Sequence, residues 1–156
     1  EIKELLQQVA NPKIAYKIPR TLVFINKKLN FSGENRRPIL RLFHRKFFNF
    51  NRSSVHEEVV GNGEVEILKH EMLHYSYTSW NDYLNKLNHY TEKMAQKMHQ
   101  QGTQKMPLLG LRFYSTFLRV YLLRLGFLDG STGFAWAVSC AYANMLKYAK
   151  YSEKFT

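Results

Sequence analysis

His70-Glu71-Met72-Leu73-His74 matches the pattern H-E-x-x-H, and that spacing defines a chemistry. On an α-helix, residues four apart share a face. Two imidazoles can then hold a zinc ion while the glutamate between them takes a proton from metal-bound water. Glu92, eighteen residues beyond His74, is of the right type to be a third ligand. A zinc-dependent metallopeptidase is therefore one function class the sequence raises. The flanks argue against the helix this chemistry needs. Glu64-Val65-Glu66-Ile67-Leu68 alternates like a strand arriving from a Gly61-Asn62-Gly63 turn. Tyr75-Ser76-Tyr77-Thr78-Ser79 is rich in aromatic and hydroxylated types, and Ser79 reads as the cap of a new helix. Only about two helical turns would fit between them. His70 and His74 are therefore expected as polar residues at a strand end, with no metal held by these side chains.

Charge is the second feature with chemical content. The chain has 156 residues and a formal net charge of +11, and residues 11–52 hold eleven Lys/Arg against one acid, Glu34. So concentrated a positive field calls for a polyanion: nucleic acid, anionic lipid or phosphorylated glycan. Phe43, Phe47, Phe48 and Phe50 lie among the cations, as in a basic nucleic-acid-binding module that stacks bases on rings. No RNP-like, helix-turn-helix or finger pattern accompanies them, so nucleic acid is not the expected partner. An apolar content of 45% with 15% aromatics excludes a disordered chain. The length suits one domain, or one half of a larger one. A single cysteine, Cys140, excludes an intramolecular disulfide.

The elements that must position these residues change character along the chain. Residues 1–9 place Ile2, Leu5, Leu6 and Val9 on one helical face before Asn11-Pro12 stops it. Residues 13–31 read as one or two strands with a bend at Pro19. Residues 32–38 read as a loop, and 39–43 and 47–50 as short strands. From Ser79 the period becomes helical: Tyr83, Leu84, Leu87, Tyr90, Met94 and Met98 recur until Gly102. Pro107 opens a second helix through Leu125, residues 126–130 break it, and a last helix runs from about Thr132 to Tyr151. The seventeen residues 130–146 are uncharged, too few for a comfortable membrane span but suited to an interfacial helix with Lys147, Lys150 and Lys154 reaching headgroups. The expectation is an α+β chain, strand-rich over 1–78 and helical over 79–156, the second part able to associate with a membrane through an amphipathic tail.

Several ordered segments resemble one family. Arg41-Leu42-Phe43-His44-Arg45 followed by Ser54-Val55-His56-Glu57 is similar to the "RLF-R … VHE" pair of family-2 glycosyltransferases. Leu73-His74-Tyr75-Ser76-Tyr77, leading into residues 80–90 with Lys86, Asn88 and Tyr90, resembles the "HYSY … YLxKLNxY" stretch of lipopolysaccharide-core enzymes of the heptose β-1,4-glucosyltransferase type. Residues 117–121, 126–130 and 146–148 resemble that group's C-terminal helical tail. The resemblance covers nearly the whole chain, in the right order.

It implies the C-terminal, acceptor-side half of a GT-A glycosyltransferase fold, a few strands followed by an amphipathic helical tail. The implied reaction transfers a sugar from a nucleotide-sugar donor to a lipid-linked glycan acceptor such as a lipopolysaccharide core. The implied location is peripheral, on the cytoplasmic face of the bacterial inner membrane, against its anionic surface. Such enzymes hold a divalent cation, Mg or Mn, with an aspartate-rich motif in their N-terminal half. Asp82 and Asp129 are the only aspartates here, so the cation is expected on a part this chain lacks, and the fragment alone is expected to be inactive. An inverting transfer needs a carboxylate to take the acceptor hydroxyl's proton. By resemblance that base is Glu57, with Glu58 the adjacent alternative. His56 is expected to orient the carboxylate or touch phosphate. Arg41 and Arg45 would neutralise the leaving diphosphate. Arg20 would face the acceptor, with Tyr75 and Tyr77 forming part of its wall. Trp136 is expected as a membrane anchor or as core, and Asp129 as a turn or cap residue.

Overall fold

In a computed structural model of the chain, which describes residues 1–7, 11–51, 58–102 and 108–155, a single long strand organises the sheet. This strand, β1 (Ile14–Phe24), follows the short helix α1 (Ile2–Gln7). β2 (Lys27–Lys28) and β3 (Arg37–Leu42) pair with it antiparallel, β6 (Glu64–Ile67) pairs parallel, and β7 (Met72–Tyr77) pairs with it as well. β4 (Phe48–Phe50) and β5 (Val59–Gly61) form a separate antiparallel hairpin. Among the described residues, the α-helices α1, α2 (Trp80–Gln100), α3 (Leu109–Leu118) and α4 (Gly130–Phe155) complete the α+β fold. Pro19 does not bend β1. It lies opposite Pro38, between the rungs Ile18–Ile39 and Arg20–Arg37, so two residues without an N–H donor occupy one rung. The ladder slips instead between Tyr16 and Lys17. Residues 37 and 38, expected in a loop, already belong to β3.

The chain divides into two compact units: residues 1–21 with 35–74, and residues 22–34 with 75–156. The first is the sheet-rich one and is thinly cored. Ala15, Tyr16, Phe48 and Leu68 are buried there, whereas Val65 and Ile67 of β6 remain 45% and 59% exposed.

The second unit is helical, and it recruits residues 22–34 because their side chains make its core. Leu22, Phe24 and Leu29 pack with Tyr83 and Leu87 of α2, Val120, and Trp136 and Ala137 of α4. Ile25 and Asn26 both have positive φ, the geometry of the two-residue hairpin turn that joins β1 to β2. Ser79 caps α2: its hydroxyl oxygen accepts from the Asp82 amide at 3.1 Å, and the Asp82 carboxylate accepts from the Thr78 amide. Gly102, at φ 66°, follows its last turn.

The expected helix through Leu125 is shorter and irregular. α3 ends at Leu118, a π-helical turn covers Arg119–Leu123, and Leu125 sits in the left-handed region. A 3-10 turn (Gly126–Asp129) then leads into α4, which starts at Gly130 and runs to Phe155, beyond the span read from apolar periodicity. Trp136 is buried in the core of this unit, against Phe24. No helix of the described residues is long and apolar enough to cross a membrane.

Asp129 is the anchor of this region. Its carboxylate accepts from the amides of Asn30 (2.9 Å) and Phe31 (3.0 Å) and from the Ser32 hydroxyl (3.1 Å), and Ser32 is fully buried at φ 64°. Truncation leaves three donors without their acceptor, so Asp129→Ala is expected to cost about 2–3 kcal/mol in urea unfolding. Hydrogen exchange at the Asn30 and Phe31 amides should rise with it; an unchanged unfolding midpoint would show that the turn holds itself.

Candidate functional site

Of the residues expected to act on a substrate, Arg20, Arg41 and Arg45 lie in the sheet-rich unit, and Tyr75 and Tyr77 in the helical one. Arg20 is half-buried on β1 and directly opposite Arg37 on β3, so the two cations lie side by side on one face. Arg41 is exposed at the end of β3 and donates to the carbonyl of Leu40. Arg45 is exposed in the turn that leads to β4. Next to it, Phe43 packs edge-on against Phe50, and the ammonium groups of Lys13 and Lys46 each stand 6.0 Å from the Phe47 ring. Phe47 and Lys13 line a cleft of about 410 Å³ together with Asn11, Asn62 and Glu64. An aromatic face beside amides and a carboxylate can stack on a sugar ring and bond its hydroxyls. The sequence had marked Phe47 only as a base-stacking residue.

Glu57 and His56 lie outside the described residues. The positions on either side are described, however. Asn51 and Glu58 close the β4–β5 loop, the Asn51 amide donating to the Glu58 carbonyl and the Glu58 amide to the Asn51 side chain, both at 2.8 Å.

The H-E-x-x-H residues do not share a helix. β7 begins at Met72, so His74 stands in a strand and His70 in the bend before it. Among the described residues, no group of three His, Cys, Asp or Glu side chains is placed to hold a metal ion. Both aspartates are committed elsewhere, Asp82 to the start of α2 and Asp129 to the 30–32 turn. The residues described thus do not fit a catalytic cation.

Glu71 enters a different network. The buried Thr21 hydroxyl donates to the Glu71 carboxylate at 2.5 Å and accepts from the Arg36 amide at 2.8 Å. The Arg36 guanidinium in turn donates to the Lys69 carbonyl at 2.9 Å. The Glu1 carboxylate accepts from the Lys69 and His70 amides and meets His70 Nδ1 at 2.7 Å. Those backbone donors, and then the imidazole, hold its pKa down at about 2. Together these bonds fix the 69–71 bend. Nothing in the sequence pairs Thr21 with Glu71, because they are fifty positions apart.

Tyr75 and Tyr77 diverge. Tyr75 is 64% exposed, free to form a wall, whereas Tyr77 packs edge-on against Phe24 and Tyr83. Burial, and then the surrounding Tyr90, Cys140 and acids, raise the Tyr77 phenol above its ordinary pKa. The residues 80–90 that carried part of the resemblance have scaffolding roles. Lys86 donates to the Ser76 carbonyl at 2.7 Å, pairs with Asp82 and stands 5.5 Å from the Tyr77 ring. Asn88 accepts twice from Lys150 of α4, through its carbonyl and its side chain. Tyr90 is exposed.

No protein-family model matches the chain, and no solved structure matches it. Curated proteins do. Over 124 residues the chain is 31% identical to an uncharacterized glycosyltransferase of Rickettsia typhi, covering 73% of this chain and 42% of that protein. An uncharacterized glycosyltransferase of Rickettsia prowazekii is 31% identical over 120 residues, covering 70% and 41%. One from Rickettsia felis is 29% identical over 123 residues, covering 72% and 44%. The chain spans about two-fifths of the length of the curated relatives it matches. Homology to glycosyltransferases thus supports an enzyme of that general class, at the level of sequence kinship.

Proposed function

We propose that this chain is the acceptor-side part of a family-2 glycosyltransferase that moves a sugar from a nucleotide-sugar to a lipopolysaccharide-core or related glycan. The observation that carries this reading is the 31% identity to Rickettsia glycosyltransferases over 124 residues. The ordered motifs ending in Val55-His56-Glu57 and Leu73-His74-Tyr75 accord with it. So does the exposure of Val65 and Ile67, an apolar sheet face of the kind that further protein covers. Donor and divalent cation would be held by sequence beyond the 156 residues, with a GT-A fold completed there. The chain by itself would then be inactive.

In this mechanism Glu57 takes the proton of the acceptor hydroxyl as its oxygen attacks the anomeric carbon. His56 orients that carboxylate. Arg41 and Arg45, both exposed, offset the charge growing on the departing diphosphate. Arg20 and Tyr75 face the acceptor, while Tyr77 supports the wall from within. The cationic segment 11–52 would meet acceptor phosphates and anionic headgroups, keeping the enzyme peripheral on the cytoplasmic face of the inner membrane.

Glu57→Gln in a full-length glycosyltransferase containing this sequence is expected to lower kcat by about 10²-fold or more, the scale of a lost general base, with donor affinity unchanged. Transfer assays with a radiolabelled nucleotide-sugar would measure both. A variant that turns over at near the wild-type rate removes Glu57 from the mechanism.

A further inference from the structure

On the helical unit, three cations converge without an acid. Arg112, Ser115, Thr116 and Arg119 recur at helical spacing from α3 into the π-helical turn. Asn144, Lys147 and Tyr148 do the same on α4. Arg112, Ser115, Thr116, Arg119, Asn144 and Lys147 line one cleft of about 390 Å³. The Tyr148 ring holds two of the cations in place, with the Arg112 guanidinium 4.5 Å and the Lys147 ammonium 5.1 Å from its centre. Asn144 donates its side-chain amide to the Thr116 hydroxyl at 2.7 Å, which leaves the hydroxyl's own proton to give.

The neighbouring α2–α4 seam is built differently. There Glu92 pairs with both Lys150 and Lys154. Between positions 108 and 152 the only carboxylate is Asp129, and it is bound to the 30–32 turn. No ion pair reaches Arg112, Arg119 or Lys147 among the described residues. Burial, and then the two guanidiniums, push the Lys147 ammonium below its ordinary pKa, as expected for positive charges crowded without a counterion. Such crowding costs stability unless an anion relieves it.

We propose that Arg112, Arg119 and Lys147 form an oxyanion-binding site on the α3–α4 face that takes the phosphate group of a phosphorylated ligand. Two guanidinium forks, an ammonium and a hydroxyl supply the donors that a tetrahedral phosphate accepts. The site rests on the geometry of the helical unit and not on the glycosyl-transfer reading. The same phosphate chemistry is offered by a soluble phosphate ester and by a phospholipid headgroup, and the two sources separate by experiment.

The test uses the full chain, with inorganic phosphate as one probe and vesicles of phosphatidylglycerol in phosphatidylcholine as the other. Arg119→Gln is the test variant, because its side chain is exposed and makes no hydrogen bond or ion pair among the described residues. Lys93→Gln on α2 removes the same charge from an exposed position elsewhere. Phosphate is expected to raise the thermal midpoint of the wild type and of Lys93→Gln, with at least about tenfold weaker binding in Arg119→Gln, as for the loss of one charge-assisted contact. If only the vesicles bind, with the same dependence on Arg119, the ligand is a headgroup. Binding that is absent with both probes, or equal in both variants, overturns the site.

Discussion

Phe24→Ala is expected to lower the unfolding free energy by about 3–5 kcal/mol, a large share of the 5–15 kcal/mol that typical domains possess. The reason is the number of partners that one ring holds. Phe24 is 1% exposed, and Tyr77, Trp80, Tyr83 and Trp136 each meet it edge-on with centroids 5.1–5.8 Å away. Removing the ring takes away its transfer energy and leaves a cavity walled by four large, rigid side chains that cannot close together. Both tryptophans of the chain are among those neighbours, so fluorescence during urea unfolding reports directly on the site. Phe24→Leu should recover much of the loss by refilling volume. A shift below about 1 kcal/mol for Phe24→Ala would mean that this cluster is not the core of the helical unit.

Gly133→Ala is expected to destabilise by about 3 kcal/mol or more, against the direction of helix propensity. Alanine in a helix is favoured over glycine by about 1 kcal/mol, so propensity alone predicts a gain. Here a Cβ would fall well inside contact distance of the Gly126 carbonyl oxygen, 2.9 Å from the Gly126 carbonyl carbon and 2.8 Å from Asp129 Cβ. The obstacle is backbone, and it belongs to the turn whose Asp129 anchors residues 30–32. Relief would have to displace that anchor, so overpacking outweighs propensity. Gly110 on α3 is the matched control: a Cβ there meets nothing within 4 Å, and Gly110→Ala should stabilise by about 0.5 kcal/mol. Opposite signs for the same substitution, read from thermal melts, are the outcome expected. A stabilised Gly133→Ala would show that α4 does not approach the 126–129 turn as closely as described.

Local chemistry was legible where it acts within a few residues. Ser79 was recognised as a cap because its bond to the Asp82 amide spans three positions, and the helical period of Tyr83 and Leu87 follows directly from burial of one face. The strand character around His74 was readable from alternation, which is why H-E-x-x-H carried little weight. What could not be read is whatever depends on distant partners. Asp129 reads as a turn or cap residue, yet it holds a turn almost a hundred positions earlier. Residues 22–31 look like continuing sheet, but Leu22, Phe24 and Leu29 belong to the helical core. Nor does any single segment place Arg112 and Arg119 beside Lys147; only the pairing of α3 with α4 does that. The regularity expected through Leu125 failed for the same reason, since the close approach of Gly126 to Val120 and Ser32 sets the chain path there.

The wide turn at Arg119–Leu123 makes the cationic cleft sensitive to chain length. A π-helical turn accommodates one residue more than the α-helix around it, so it works as a phase shifter between the segments on either side. Val120 and the turn beyond it are fixed by the core. Inserting one more residue between Arg119 and Val120, where the turn already holds its extra one, would therefore rotate everything upstream by roughly 100°. Arg112 and Thr116 would swing off the line of Lys147, with every cation still in the sequence and the anion seat gone.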